Sequence, residues 1–189
     1  FPYTTLFRSE GSITSILAMA KEKSIVVKEV DRKKLDSMSE TGSHQRVIAI
    51  VTPYIYNTIE EILEYAKEKD EDPFIIVLDE IEDPHNLGSI IRTAELCGAH
   101  GIIIPKRRSV GVTTTVYKTS AGAAEYMKIA KVTNINSAID TLKEKGLWIY
   151  GADMNGDEYS HKVDLGGAIA IVIGNEGKGI SKLTRKDRK

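Results

Sequence analysis

The stretch Phe74-Ile75-Ile76-Val77-Leu78 decides the fold, because five consecutive apolar residues followed at once by charged residues are typical of a buried strand. The sequence then predicts a helix over Leu87–Cys97, where apolar residues recur at helical spacing. Asn86 directly before it is the predicted N-cap. Cys97 ends the apolar run and is predicted to be a buried core thiol.

The same alternation of strand and helix continues along the chain. A helix is predicted over Ile135–Lys145, opened by Asn134 and closed by Gly146. Further strands are predicted at Gly101–Ile104, Met127–Val132, Leu147–Ala152 and Ala168–Ile173. Apolar strands separated by helices indicate an α/β fold with a mainly parallel sheet that is covered on both faces.

Before this region, a second αβαβ pattern predicts a small α/β domain. Its predicted elements are helix Ser12–Ala20, strand Ser24–Val30, short helix Asp31–Leu35 and strand Val47–Val51. Residues 1–9 show no clear period and are excluded from the fold as a non-native or unstructured start. The expected organisation is then a partial small domain over 10–54, a linker and helix over 55–72, and a larger domain over 73–189.

Composition excludes several classes of protein. Apolar residues make up 41% of the chain and charged residues 28%, which is ordinary for a globular protein. No apolar run approaches the roughly 20 residues of a membrane span. The net charge of −1 gives no bulk basicity, and on charge alone the local basic clusters are solvated surface. One cysteine excludes a disulfide within the chain, the four histidines lack metal-ligand spacing, and the cytoplasm is the expected compartment.

Two loops carry the chemistry, and both follow predicted strands, where ligands of parallel α/β sheets bind. The first runs from Asp79 to Arg92. Arg92 can bind a phosphate through two N–H groups of its guanidinium, or it can form a surface salt bridge with one of the nearby carboxylates. His85 in the same loop can contact a substrate or remain solvated.

The second loop, Gly174-Asn175-Glu176-Gly177-Lys178-Gly179, follows the last predicted strand. Its spacing is G-x-x-G-x-G, and the chain lacks the G-x-G-x-x-G of dinucleotide-binding proteins, which argues against an oxidoreductase. Glu176 would repel phosphates, so the loop suits a neutral or cationic ligand such as a sulfonium. The alternative is that Glu176 caps a following helix. A third stretch, Lys118–Glu125, is rich in small residues that permit close backbone approach.

At these residues the chain resembles a known family. Asn86–Ala94 (NLGSIIRTA) and Ile171–Gly179 (IVIGNEGKG) resemble the first and second signatures of the SpoU/TrmH family, in the SPOUT superfamily of RNA 2′-O-ribose methyltransferases. Lys106–Ser109 and Ser120–Ala123 match the stretch between them. The resemblance covers about Ser12–Arg185 and is greatest to the RlmB-type branch, which methylates a guanosine ribose of 23S ribosomal RNA.

This resemblance implies a fold and partners. The family has a deep trefoil knot at its C-terminal side, binds S-adenosylmethionine among the knotted loops, acts on RNA and mostly forms homodimers, without a metal. The third family signature is absent, so the knot is expected to be incomplete and the chain to be a C-terminally truncated, impaired enzyme. Arg46 stands where the family usually has glycine, directly after the loop Gly42–Gln45 of the RNA-binding small domain.

The resemblance also implies roles for individual residues. Arg92, Asn86 and Glu176 would be catalytic: Arg92 would assist the attacking hydroxyl, Asn86 would fix the loop, and Glu176 would orient substrate or Arg92. The implied cofactor-binding residues are Gly174, Asn175, Gly177, Ile173, Gly122 and Ile180. The implied RNA-binding residues are Arg107, Arg108, Lys178 and Gln45. A non-catalytic RNA-binding protein and a tRNA substrate are the alternatives.

Overall fold

In the computed structural model the chain divides into two compact units, Phe1–Tyr54 and Ile55–Lys189. The structure describes residues 3–6, 12–39, 44, 46–50, 52–153, 156, 159, 162–177 and 179–180, with the backbone alone for 3–6 and 12. Residues 181–189, at the C-terminal side where the incomplete trefoil knot was expected, lie outside the described residues.

The first unit is a three-stranded sheet with two helices. Its elements are β1 (Tyr3–Leu6), α1 (Ser12–Glu22), β2 (Val26–Glu29), α2 (Arg32–Met38) and β3 (Val47–Ile50). The strand order is β2-β1-β3, with β1 parallel to β2 and antiparallel to β3. Asp31 caps α2 by accepting a hydrogen bond from the Lys34 backbone N–H at 2.7 Å, and Leu35 is fully buried.

Two findings in this unit differ from the sequence analysis. Tyr3–Leu6 forms the central strand, so its exclusion from the fold is corrected: Tyr and Thr favour strands, but four residues are too few to show a period. Arg46 adopts a left-handed backbone with φ of 68°. Only glycine takes that conformation without steric cost, which gives a physical reason for glycine at this position in the family.

The second unit is built on a five-stranded sheet in which every pairing is parallel. Its strands are β4 (Phe74–Leu78), β5 (Gly101–Pro105), β6 (Lys128–Val132), β7 (Trp148–Ala152) and β8 (Ile169–Ile173), in the order β6-β5-β4-β8-β7. Its helices are α3 (Ile59–Glu68), α4 (Pro84–Leu96), α5 (Thr114–Thr119) and α6 (Ile135–Glu144), with a 3₁₀ turn at Ala123–Glu125. The expected α/β fold with a mainly parallel sheet is confirmed.

The core lies on both faces of the sheet. Ile75 and Val77 of β4 pack in one cluster with Ile62 of α3 and Ile139 of α6, while the alternate residues Ile76 and Leu78 are also buried. Successive side chains of a strand point to opposite faces, so burial of both sets requires cover on both sides. This is why the continuous apolar run of β4 predicted its position correctly.

Helix α4 differs from its prediction at both ends. It begins at Pro84 rather than Leu87, and its N-cap is Asp83, whose carboxylate accepts a hydrogen bond from the His85 backbone N–H at 2.7 Å. Proline is favoured at the first helical position because its missing N–H would have no partner there. At the other end Cys97 is exposed, so the predicted buried thiol is wrong: it is the C-terminal cap, beyond the last turn that faces the sheet.

Candidate active site at the carboxyl edge of the sheet

The two chemically dense loops meet because β4 and β8 are parallel neighbours. Leu78 pairs with Ile173 at the carboxyl ends of these strands. The ladder extends one step further, since the Asp79 backbone N–H donates to the Ile173 carbonyl at 2.8 Å. The loop after β4 and the glycine loop at 174–179 therefore leave the sheet side by side.

A side-chain hydrogen bond joins the two loops. The Asn86 amide donates to the Glu176 carboxylate, with 2.8 Å between Nδ2 and Oε1. Because Asp83 supplies the helix cap, Asn86 lies inside the first turn of α4 and its side chain is available for this contact. The prediction that Asn86 caps the helix is wrong, whereas its predicted function of fixing a loop is compatible with this bond.

The glycine loop is closed by its own backbone. The Asn175 N–H donates to the Gly179 carbonyl at 3.1 Å, and the Gly179 N–H donates to the Asn175 carbonyl at 2.7 Å. A Cβ on Gly174 would lie 2.2 Å from the Gly179 carbonyl carbon and 2.3 Å from the Ile180 nitrogen. Only glycine fits at position 174, since main chain cannot move aside as a flexible side chain can.

Both polar atoms of the Asn175 side-chain amide form hydrogen bonds that hold this loop in place. Its Nδ2 donates to the Glu80 carbonyl at 3.0 Å, and its Oδ1 accepts from the Gly177 N–H at 2.9 Å. Ile180 is 2% exposed and packs in the core cluster. The side chains of Asn175 and Ile180 are thus engaged within the protein, which leaves their backbones as the groups that a ligand can reach.

The other residues predicted to bind a cofactor lie in two places. Ile173 ends β8, and Gly177 is an exposed residue of the glycine loop. Gly122 precedes the 3₁₀ turn with φ of 88°, and a Cβ added to it would meet nothing within 4 Å. Gly122 hydrogen-bonds to Tyr117 and Glu125 rather than to the glycine loop.

Arg92 lies on the exposed face of α4. Ile91 and Ala94 beside it are buried, whereas Arg92 and His85 are exposed and two helical turns apart, so they share one face. In the part of the chain that the structure describes, no carboxylate lies within salt-bridge distance of Arg92. The surface salt bridge that was the alternative for Arg92 is therefore not formed there, and the guanidinium is available to an anion.

Helix α5 sets the position of α4. A Cβ on Gly88 would lie 1.8 Å from Thr119 Oγ1 and 3.0 Å from the Ser120 nitrogen. Gly88 is therefore the point where α5 approaches α4 most closely, and a side chain there would collide with α5. Ser120 is fully buried, so the small residues of Lys118–Glu125 serve close packing of these elements behind Arg92.

The sequence analysis missed Glu80 as a site residue. Its backbone has φ of 62°, its carbonyl accepts from Asn175, and its carboxylate lies 2.7 Å from Arg108 Nη1. A charged residue directly after a strand is a signal of a site, but four carboxylates occur between 79 and 83. The fold singles out Glu80, because its carbonyl contacts the glycine loop and its carboxylate contacts the loop after β5.

Comparison with known proteins identifies the arrangement. The model of the SpoU rRNA Methylase family matches residues 73–189, more than half of the chain. A second model, RNA 2′-O ribose methyltransferase substrate binding, matches residues 3–57, which include β1. The chain belongs to the SpoU rRNA Methylase family. As an RNA methyltransferase of the SpoU/TrmH type, it has the fold and the paired signatures that the sequence predicted.

Relatives of this SpoU-family chain include YacO of Bacillus subtilis, named for the TrmH family of tRNA/rRNA methyltransferases. It is 47% identical over 177 residues, which cover 94% of this chain and 71% of YacO. The AdoMet-bound rRNA methyltransferase from Sinorhizobium meliloti has a TM-score of 0.78 at 21% identity, over 98% of this chain and 67% of that one. The SpoU methyltransferase AviRb from Streptomyces viridochromogenes, in complex with AdoMet, has a TM-score of 0.76 at 20% identity, over 99% and 71%.

The residues that were predicted to bind RNA differ in whether they form an ion pair with a carboxylate. Arg108, with φ of 54°, pairs with Glu80, and this hydrogen bond raises the pKa of Arg108 above its ordinary value. Arg107 is exposed, and no described carboxylate pairs with it. Lys178 and Gln45, with most of the Gly42–Gln45 loop, lie outside the described residues.

Two kinds of structural feature do not occur among the described residues. No group of three or more His, Cys, Asp or Glu side chains there is arranged to hold a metal ion. None of the helices there has the length and apolar character that a membrane crossing requires.

Proposed function

We propose that this SpoU-family enzyme transfers a methyl group from S-adenosylmethionine to a ribose 2′-hydroxyl of RNA, with a guanosine of 23S ribosomal RNA as the target. The observation that carries the proposal is the Asn86–Glu176 hydrogen bond of 2.8 Å. It joins the two signature loops at the carboxyl edge of the sheet, in the first turn of the helix whose Arg92 has no carboxylate partner among the described residues.

The residues of the glycine loop suit this cofactor. S-adenosylmethionine, when bound, supplies a methyl group carried on a positively charged sulfonium. Glu176 is an exposed carboxylate within the loop, and a cation is attracted to such a group whereas a phosphate is repelled. Gly174, Gly177 and Gly122 would offer backbone to the cofactor without a side chain in the way.

Arg92 would act on the ribose. A 2′-hydroxyl is a poor nucleophile and must lose its proton as its oxygen attacks. Arginine keeps its charge in proteins, so Arg92 would bind the adjacent phosphate and stabilise the negative charge that develops on the oxygen, while the proton passes to a base or to water. Removing one preorganised donor of this kind costs a rate factor of about 10² to 10³ in known enzymes.

The proposal includes a homodimer in the cytoplasm, in line with the family resemblance. The apolar side chains Leu96 and Tyr126 support it, because they are 82% and 75% exposed at the end of α4 and directly after the 3₁₀ turn. Sedimentation of the purified chain would test the dimer directly.

The test of the reaction is incubation of the purified chain with methyl-labelled S-adenosylmethionine and unmodified ribosomal RNA or tRNA. Nuclease digestion and mass spectrometry would then detect label in a 2′-O-methylguanosine, and the RNA that carries it would distinguish the two substrate classes. Label on a base, or binding of RNA without any label, would overturn the proposal, and the second result would favour a non-catalytic RNA-binding protein.

A further inference from the structure

A lysine on β6 lies at the carboxyl edge of the sheet. Strand β6 is two strands from β4, on the side away from β8 and the glycine loop. Lys131, the penultimate residue of β6, holds its ammonium 4.9 Å from the centre of the Tyr56 ring. Its backbone pairs with Ile104 of β5. Lys131 and Tyr56 are both half-buried, so the pair is part of the packed surface rather than a pair of solvated side chains.

Two segments of the chain hold Tyr56 in place. The Tyr56 hydroxyl accepts a hydrogen bond from the Val112 backbone N–H at 3.0 Å. The next residue, Asn57, donates its backbone N–H to the Ile129 carbonyl at 2.8 Å, and its side-chain oxygen accepts from the Ile129 N–H at 3.3 Å. The ring is therefore fixed to β6 on one side and to the loop before α5 on the other.

Gly111 in that loop leaves room for the ammonium. A Cβ at position 111 would lie 2.7 Å from the Tyr56 hydroxyl and 3.2 Å from Lys131 Nζ. The loop backbone can pass close to the lysine only because this residue has no side chain. The Lys131 ammonium thus has a defined position between a ring, a loop and a strand.

The cluster has uncompensated positive charge. Lys106, Arg107 and Lys131 have no carboxylate within ion-pair distance among the residues that the structure describes. Lys106 is joined to β6 by a hydrogen bond of 2.7 Å from its backbone N–H to the Val132 carbonyl, so the three cations share one corner of the sheet. Because the net charge of the chain is −1, this concentration of positive charge is local to the corner. Such a concentration attracts an anion.

We infer that Lys131, positioned by Tyr56, binds a backbone phosphate of the RNA substrate beside the nucleotide to be methylated. The inference rests on the proposed function for the identity of the RNA. Adjacent strands are about 4.8 Å apart, so Lys131 lies about 10 Å across the edge from the end of β4, on the same edge of the sheet as the two signature loops. A cation on an aromatic ring keeps its charge and loses mobility, which suits a phosphate contact rather than recognition of a base.

Lys128 provides a matched control on the same strand. Its ammonium lies 5.1 Å from the centre of the Tyr65 ring, the same kind of contact as that of Lys131. Lys128 is, however, the first residue of β6, so it lies at the amino edge of the sheet. Lys128→Gln and Lys131→Gln remove the same charge and the same type of contact at opposite ends of one strand.

The experiment measures binding of a short fluorescein-labelled RNA hairpin to the full chain over a series of salt concentrations. We expect Lys131→Gln to weaken binding severalfold and to reduce the slope of log affinity against log salt by about 0.7 to 0.9, the effect of one lost phosphate contact. Lys131→Arg should retain binding, Tyr56→Leu should weaken it, and Lys128→Gln should leave both affinity and slope unchanged. Equal behaviour of Lys131→Gln and Lys128→Gln, with unchanged melting temperatures, would overturn the inference.

Methyl-transfer kinetics separate this inference from the proposed function. Lys131→Gln should raise KM for RNA severalfold with little change in kcat, because the contact is the same before and during the reaction. If inorganic phosphate binds to the wild type in a Lys131-dependent way while RNA affinity is unaffected, the site takes free phosphate and the inference fails. Loss of transfer in Lys131→Gln at saturating RNA would also contradict it, whereas failure of the proposed function would appear in the Arg92 variants described below.

Discussion

The Asn86 amide and the Glu176 carboxylate are 2.8 Å apart, although ninety residues separate them in the chain. An amide can only donate to this carboxylate through its Nδ2, so the bond has a direction. It joins the first turn of α4 to the glycine loop. Any change that reverses or removes this hydrogen bond should therefore alter the positions of both loops.

We predict that Asn86→Asp weakens S-adenosylmethionine binding, because two carboxylates would then face each other at hydrogen-bond distance. The double variant Asn86→Asp with Glu176→Gln should recover much of the loss, since the glutamine amide can donate to the new aspartate. Calorimetric titration with S-adenosylmethionine would measure both. No recovery in the double variant would mean that the polarity of this bond is unimportant for the cofactor.

Arg92→Ala should reduce methyl transfer by a factor of about 10² to 10³, with little effect on stability because the side chain is exposed. Arg92→Lys should recover only part of the rate, since an ammonium cannot bind a phosphate with two parallel hydrogen bonds. Single-turnover rates and melting temperatures are the measurements. Normal turnover by a folded Arg92→Ala variant would remove this residue from the mechanism.

Gly174→Ala should destabilise the protein by about 1 to 3 kcal/mol, as other overpacked sites do, and should abolish cofactor binding. Its Cβ would lie 2.2 Å from main chain. Gly177→Ala is the matched control in the same loop, because its Cβ would meet only Asn175 Oδ1 at 3.6 Å. Denaturant unfolding compares the two variants, and similar losses for both would show that loop closure at Gly174 is not the cause.

Glu80→Gln should increase RNA affinity modestly. The Glu80 carboxylate pairs with Arg108 at 2.7 Å, and its loss would free a guanidinium for phosphate. Arg107→Gln should reduce the salt slope of RNA binding by about 0.7 to 0.9, whereas Arg108→Gln in the wild-type background should reduce it less. Fluorescence titrations of the three variants test this, and an equal effect of Arg107→Gln and Arg108→Gln would mean that the ion pair yields readily to RNA.

The helix start at α4 illustrates how local signals compete. Asn86 before an apolar helical run was a reasonable cap, but the pair Asp83-Pro84 three residues earlier is a stronger start signal because proline suits the first helical position. By contrast, Asn134 was correctly predicted to cap α6, where it accepts hydrogen bonds from the backbone N–H groups of Asn136 and Ser137. There no proline follows an earlier cap residue, so no start signal as strong as Asp83-Pro84 competes with Asn134.

The sequence by itself determined the strands of the larger unit, its α/β class and the two loops that carry the chemistry, because apolar runs and turn residues act locally. It also determined the family through the order of those loops. Only the tertiary structure decided which side chains meet: Asn86 with Glu176, Glu80 with Arg108, and Lys131 with Tyr56. Each pair joins segments far apart in the chain, and their proximity depends on the strand order β6-β5-β4-β8-β7, which is set by packing of the whole sheet rather than by any one stretch of sequence.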